Sequence, residues 1–318
     1  MTEPIRKSRY DLTDSPLYRL GRIRDLAALL GWRGTPSGLK AFSRRLDHYD
    51  IFKRIDPKSG KTRRIEAPKD SLKRLQRRVN ALLQRIHVPE YLHSGIPGGS
   101  YLTHAAAHFE SDGATLTADI SKYYPSVATE RLYLLFRNDF RCSTDVAWTL
   151  ARLLSCEGHL ATGSPASALV AFMAHRKAFD EIADHAIKRG ATFSLYMDDL
   201  AFTGQGINRS DAALAASVLA RFGLKVKSEK TRLFRASEPK LVTGVAWRRG
   251  VRRAPNSQHR LMGLALKDLQ RSPRDPALHK SAIGRLQHVA LLAPGQEQSL
   301  RQMARSLRKR LRSLQDEL

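Results

Sequence analysis

The sequence predicts an α/β chain, α+β in the way strands and helices segregate, with a strand-bearing centre and helical, basic ends. Three observations carry this. Residues 115–120 (TLTADI) alternate with the period of a strand. Residues 191–203 (ATFSLYMDDLAFT) read as two strands around a tight turn at Met197-Asp198-Asp199. Beyond Arg248 the apolar residues recur at helical spacing among many cations.

In chain order, residues 51–67 (IFKRIDPKSGKTRRIEA) predict a β-hairpin, with Pro57-Lys58-Ser59-Gly60 as its turn. Pro68 and Asp70 then open a helix whose stripe is Leu72, Leu75, Val79, Leu82, Leu83 and Ile86. Lys73, Arg74, Arg77, Arg78 and Arg85 fall mostly off that stripe. A Gly/Pro loop follows at 95–99. Residues 127–155 and 164–188 are expected to be helical, the second stretch ending at Gly190. A helix over 209–222 precedes a short strand at 224–226, and 240–247 (KLVTGVAW) reads as one more strand. The last helix sets Leu300, Met303, Leu307, Leu311 and Leu314 on one face.

At 318 residues the chain can bury a substantial core, and 42% hydrophobic with 27% charged residues is ordinary globular composition. That excludes wholesale disorder, collagen and disulfide-stapled miniproteins. The longest apolar run, 166–174 with Ser167 inside it, is far short of the roughly 20 residues that cross a bilayer. The N-terminus lacks the apolar stretch of a secretory signal, so no membrane partner and a cytoplasmic location are expected. Cys142 and Cys156 stand in no metal-ligand or redox spacing and read as reduced packing residues.

Charge is the unusual quantity: 55 Lys and Arg oppose 30 Asp and Glu, a net +25. Residues 1–90 hold 22 basic and 10 acidic residues, and 248–318 hold 16 and 5; the centre, with 17 and 15, is nearly neutral. Basic flanks around a neutral centre suit a polyanion, because each neutralised phosphate releases condensed counterions.

Asp198-Asp199 runs against this pattern. Adjacent carboxylates repel, yet the pair sits among Phe193, Leu195, Tyr196, Leu200 and Phe202. Asp119 closes a second apolar strand. Turns are common places for aspartate, but three carboxylates at strand ends can share divalent cations that cancel their repulsion. Two Mg²⁺ ions are the usual device for in-line phosphoryl displacement. His104 and His108, four apart, have the spacing of two zinc ligands but no intervening Glu and no third ligand nearby; RNA contact or local hydrogen bonding suits them better. The glycines at 97–100 lack the Lys-Ser/Thr of a phosphate-binding loop.

Over about residues 50–247 the sequence resembles reverse transcriptases, and among them the bacterial retron enzymes. TADISKYYPSV resembles the first catalytic motif and YMDD the second. TGSPAS at 162–167 resembles the Gln-Gly-x-Pro-x-Ser element, and GKTRRIEAP at 60–68 the fingers hairpin. HSGIPGGSYLTHAAAH at 93–108 resembles a retron segment ending Asn-Ala-x-x-His, and Val242-Thr243-Gly244 the retron Val-Thr-Gly signature. The sequence departs from the pattern at His104, where the family has Asn, and at Thr162, where it has Gln.

The resemblance implies a polymerase right hand: an N-terminal region and fingers over 1–110, a ferredoxin-like palm with interleaved helices over 111–247, and a basic helical thumb over 248–318. It implies that Asp119 and Asp198 are the principal ligands of two Mg²⁺ ions, Mn²⁺ being a possible substitute. The Ile120 carbonyl would join them, with Asp199 a weaker ligand that tunes the site. Tyr124 matches the aromatic wall against a ribose 2′-OH, whereas Tyr123 reads as core. Arg63 matches the arginine on the triphosphate, its fork suited to phosphate oxygens, with Arg64 facing the other way along the strand. Gly163 is expected to let backbone approach the nascent base pair, and Lys230 to lie near the triphosphate, with Lys227 the competing choice. Val242, Thr243 and Gly244, with His104 and His108, would bind RNA.

The implied activity is RNA-directed DNA polymerisation from dNTPs, copying a structured noncoding RNA into an RNA–DNA hybrid. Synthesis would start from an RNA 2′-OH and serve antiphage defence with a separate effector protein. Two alternatives stay open: a non-retron reverse transcriptase, intron-related or of another defence type, and an RNA-binding scaffold whose catalysis has lapsed.

Overall fold

The computed structural model describes residues 9–55, 60 and 62–316. Of the expected hairpin turn, Pro57, Lys58 and Ser59 lie outside the described residues, as does Lys61. Two short helices that the sequence reading left unassigned, α1 (Ile23–Leu30) and α2 (Pro36–Ser43), come first. The Thr35 hydroxyl caps α2 by accepting the Gly38 N–H. The hairpin follows as β1 (Tyr49–Ile55) and β2 (Thr62–Pro68), antiparallel from Tyr49 opposite Pro68 to Ile55 opposite Thr62. Helix α3 (Asp70–Leu83) buries Leu72, Leu75, Val79, Leu82 and Leu83 as the periodicity predicts; Ile86, just beyond its end, is buried too. Past the Gly/Pro loop, Ser100 and Thr103 form a reciprocal capping box on the short helix α4 (Tyr101–Ala106).

The central unit runs β3 (Ala114–Asp119), α5 (Thr129–Leu134), a π-helical turn (Leu135–Asp139) and α6 (Thr144–Leu154). The small hairpin β4 (Ser155–Cys156) and β5 (His159–Leu160) leads to α7 (Ser167–Ala174) and α8 (Arg176–Lys188). Then come β6 (Thr192–Tyr196), β7 (Asp199–Gly204), α9 (Arg209–Arg221) and β8 (Arg232–Phe234). Strand order is β6-β7-β3-β8, every neighbour antiparallel. Strand–helices–strand–strand–helix–strand in that order is the ferredoxin-like split βαβ arrangement. It brings the end of β3 beside the β6–β7 turn, although some 80 residues of chain separate them. Helices α8 and α9 pack together, α8 against β6 and α9 against β3.

Four expectations are corrected. The strand expected at 224–226 is only an isolated bridge between Val226 and Ile120; the regular fourth strand is β8. Residues 240–247 form a hairpin, β9 (Lys240–Val242) and β10 (Val245–Arg248), because Thr243 and Gly244 both take positive φ, +45° and +81°, and reverse the chain. A further strand, β11 (Val251–Arg253), pairs with β10 before the helices begin. The helix expected over 164–188 breaks at His175, where φ is −120°.

The C-terminal helices are α10 (Asn256–Arg271), α11 (Pro276–Leu292) and α12 (Glu297–Asp316). On α12, Leu300, Ala304 and Leu311 are buried, whereas Met303 is exposed. Trp247, Val242 and Val245 join these helices in one apolar cluster, apart from the larger core around α3, α6, α7 and the central sheet. Cys142 and Cys156 are buried and unbridged, as the packing reading expects. Among the described residues no helix is long and apolar enough to cross a membrane.

Candidate active site

The last rung of the β3–β7 ladder sets Asp119 opposite Asp199. Asp198 lies in the turn between Tyr196 and Asp199, which are themselves partners in the β6–β7 ladder. The Ile120 N–H donates to the Asp198 carbonyl at 2.8 Å, lashing the tip of β3 to that turn. Met197, at the first turn position, takes φ +54°, a region uncommon for a side chain other than glycine. Its N–H donates to the buried Ser94 hydroxyl at 2.9 Å. Ser94 follows a stretch that runs along the edge of β6, with Leu92 bridged to Leu195.

Asp119 is buried and holds two ammonium groups. Lys227 Nζ donates to Oδ1 and Lys230 Nζ to Oδ2, the latter at 2.7 Å. The Lys227 N–H also donates to the Asp119 carbonyl at 2.8 Å, so the backbone fixes this meeting. Both lysines the sequence left in competition thus converge on one carboxylate. Burial, then the neighbouring Asp119, pushes the Asp198 carboxyl above its ordinary value. Asp199 is pushed up to about 7 by burial, then by Asp198 and Asp119, against the pull of Lys230 and Lys227.

Among the described residues no group of three or more His, Cys, Asp or Glu stands as a ready metal-binding cluster. The expected ligands Asp119, Ile120, Asp198 and Asp199 are gathered at one sheet end, with both lysines paired to Asp119. The donor chemistry still suits a hard divalent cation, which takes oxygen ligands and would replace the ammonium charge on Asp119. Burial is the first cause of both raised carboxyls and the neighbouring aspartates the second, while the two lysines pull the other way.

Tyr124 heads a single 3-10 turn, Tyr124–Ser126, and is half-buried beside Asp198, whose charge adds to burial in raising its phenol. Tyr123 is buried against Tyr124, His175 and Phe179, the core role expected of it. Arg63 is exposed on β2, directly across from Arg54. Arg64 pairs with Glu66 and Glu157.

Gly163 lies hard against β2. A Cβ there would stand 2.3 Å from the Glu66 carbonyl oxygen, so the missing side chain lets the 162–163 loop press onto β2.

The two histidines expected at RNA are wholly buried. His108 Nε2 meets the Ser194 hydroxyl at 2.6 Å, and His104 Nδ1 lies 3.4 Å from the Thr243 hydroxyl. His104 also stacks on Tyr196, with ring centroids 5.9 Å apart. Burial, with neighbouring histidines, pushes both imidazoles down to about 3. Neither can touch a polymer in solvent; they form the local hydrogen bonds that were the other reading. Val242 is buried as well, while Gly244 is exposed at the hairpin tip. Thr243 holds its unfavourable φ while its hydroxyl donates to the Tyr101 carbonyl at 3.1 Å.

A cavity of about 290 Å³ joins these parts, lined by Asp119, Asp199, Lys230, Arg232, His104 and Thr243. A larger one, about 710 Å³, is lined by Ile86, Phe172, Arg176 and Phe222 and includes none of Asp119, Asp198 and Asp199. Sequence reasoning missed Ser94 and Glu66, whose partners are distant in the chain; for Ser94 the nearest signal was the Gly/Pro loop just after it.

A family profile described as reverse transcriptase (RNA-dependent DNA polymerase) matches residues 55–265. The chain is 30% identical over 279 residues to the Retron Mx65 reverse transcriptase of Myxococcus xanthus, covering 80% of this chain and 64% of that protein. It is 27% identical over 212 residues to the Retron Se72 reverse transcriptase of Salmonella heidelberg (strain 579083-10), covering 64% and 56%. The chain thus spans 56% to 64% of the length of these relatives. Among solved structures, a foamy viral protease-reverse transcriptase in complex with double-stranded DNA aligns at TM-score 0.44 and 16% identity, over 76% of this chain and 36% of that one. With two thirds of its length under the family profile, and the motif aspartates meeting at the end of one sheet, the chain belongs to the reverse transcriptase (RNA-dependent DNA polymerase) family.

Proposed function

We propose that this chain is an RNA-directed DNA polymerase of retron type, adding deoxynucleotides to a primer hydroxyl along a structured noncoding RNA. The observation that carries the reading is the meeting of Asp119 with Asp199, and of Asp198 beside them, at the edge of a cavity lined by cations. Asp119, Asp198, Asp199 and the Ile120 carbonyl would hold two Mg²⁺ ions, or Mn²⁺ in their place. Bound there, such ions would supply Lewis acidity toward the primer hydroxyl and the departing pyrophosphate. Lys230, more exposed than Lys227, is then free to turn from Asp119 toward a triphosphate. Tyr124, beside Asp198, walls the sugar, and the Arg63 fork receives phosphate oxygens. The exposed Gly244 tip and the basic C-terminal helices face the RNA and the RNA–DNA hybrid, largely through the backbone.

Similarity to two retron enzymes supports priming from an internal RNA 2′-OH and a role in antiphage defence beside a separate effector. Primer extension with purified protein, Mg²⁺, dNTPs and an RNA template tests the polymerase: incorporation is expected, and its loss in Asp198→Asn. Equal incorporation by that variant sinks the reading. Sequencing copurified nucleic acid tests the retron assignment, with a short DNA branched from one abundant RNA expected and random cellular RNA counting against it.

A further inference from the structure

Glu66 is 1% exposed, yet its carboxylate is fully engaged. Oε1 accepts from Arg64 Nε at 3.1 Å and lies 2.9 Å from His159 Nε2. Oε2 accepts the Thr162 N–H at 3.0 Å and the Thr162 hydroxyl at 3.4 Å. The same hydroxyl accepts the Glu66 N–H at 3.3 Å. Arg64 extends the network to Glu157 on the turn between β4 and β5. Gly163, lying against the Glu66 carbonyl, closes the contact. Three pieces of chain meet here: β2, the β4–β5 hairpin and the 162–163 loop. A buried carboxylate is tolerated only when its lone pairs are met by donors, and here both oxygens are.

From this geometry we infer that Glu66 is a positioning residue of the nucleotide site, clamping the Arg63 strand to the Thr162–Gly163 loop so that both walls of the site move as one. The inference rests on the polymerase reading above. Side chains alternate along a strand, so pinning residues 64 and 66 through one face of β2 projects Arg63 from the other. Thr162 stands where the family has a longer amide. Its hydroxyl is taken up by Glu66, so this loop offers the incoming nucleotide its backbone, at a depth that Glu66 sets. A loose clamp leaves the carboxylates untouched and lets Arg63 and the loop drift apart, weakening nucleotide binding rather than chemistry.

Steady-state primer extension with a DNA primer on an RNA template, varying one dNTP, tests this in Glu66→Gln, Thr162→Val and the double variant. Glu66→Gln sets an amide NH₂ among donors, and Thr162→Val removes the hydroxyl while keeping the backbone. Expected is a rise in dNTP KM of about fivefold or more in each, with kcat held within about twofold and the double variant no worse than Glu66→Gln alone. Thr162→Ser, which keeps the hydroxyl, should recover most of the KM. Wild-type KM in a folded Thr162→Val overturns the clamp, as does a fall in kcat at unchanged KM. If Glu66→Gln fails to fold, Thr162→Val against Thr162→Ser decides alone. No incorporation by the unmodified chain overturns the polymerase reading instead.

Discussion

Asp119 and Asp199 face each other across the antiparallel pair β3–β7, like charges on the final rung of the ladder. Direct opposition of this kind opposes folding, and the two lysines paired with Asp119 offset it.

Removing one of the two charges should therefore help the fold and harm the chemistry. Asp199→Asn is expected to gain about 0.2–1 kcal/mol in denaturant unfolding at pH 8 with chelator present. The same variant should lose Mg²⁺-dependent incorporation by about tenfold or more, equal to about 1.4 kcal/mol of barrier. A variant both less stable and fully active contradicts this account of the rung.

The two lysines should be unequal. Side-chain exposure is 23% for Lys227 and 47% for Lys230, and only Lys227 is also tied through its backbone. Lys227→Met is expected to cost about 1.5–3 kcal/mol, as for a hydrogen bond to a charged group. Lys230→Met, an exposed pair, should cost about 1 kcal/mol or less, while raising dNTP KM. Chemical denaturation of both variants with chelator gives the order, and the reverse order refutes the assignment.

Ser94 supports the Met197-Asp198 turn through one bond. Ser94→Ala leaves the Met197 N–H without its acceptor beside a strained φ, at a cost of about 1–3 kcal/mol. Because Met197 adjoins Asp198, incorporation should fall further than stability alone explains, and Ser94→Thr, which keeps a hydroxyl, should retain more of it. Equal activity in the two variants removes Ser94 from the support of the turn.

The buried histidines make the fold acid-sensitive. His104 and His108 are held near pKa 3, well below the 6.5 of an exposed imidazole. Below about 6.5 the unfolded chain takes up protons that the folded one refuses. The stability these groups contribute is thus whole above pH 6.5 and lost progressively as pH falls toward 3. At pH 5.5 each should cost about 1.4 kcal/mol relative to pH 8. His108→Gln, titrated by denaturant midpoints between pH 8 and 5, should show a shallower loss; an unchanged slope overturns the claim.

Much of this site was legible because its signals are local. Alternation in TLTADI and the apolar frame around YMDD forecast two carboxylate-bearing strand ends, and the stripe on α3 forecast its buried face. Short strands escaped: Arg232–Phe234 and Val251–Arg253 have three residues each, too few for a period to emerge. The 240–247 stretch looked continuous because Thr is at home in strands, and only the backbone turn at Thr243-Gly244 divides it. Glu66 was illegible for another reason: Glu157, His159 and Thr162, the far side of its network, lie more than ninety residues away. His104 and His108 carried a pattern that suggested contact with a partner, and folding spent it on Thr243, Tyr196 and Ser194.

Asp119 precedes its two ammonium partners by 108 and 111 residues. During synthesis all three aspartates therefore leave the ribosome before either lysine does. Until residue 227 has emerged, a nascent chain that closes the β3–β7 ladder must do so with neither lysine on its acidic edge. Any quenching of that edge by Lys227 and Lys230 comes only once the segment that follows α9 has been made.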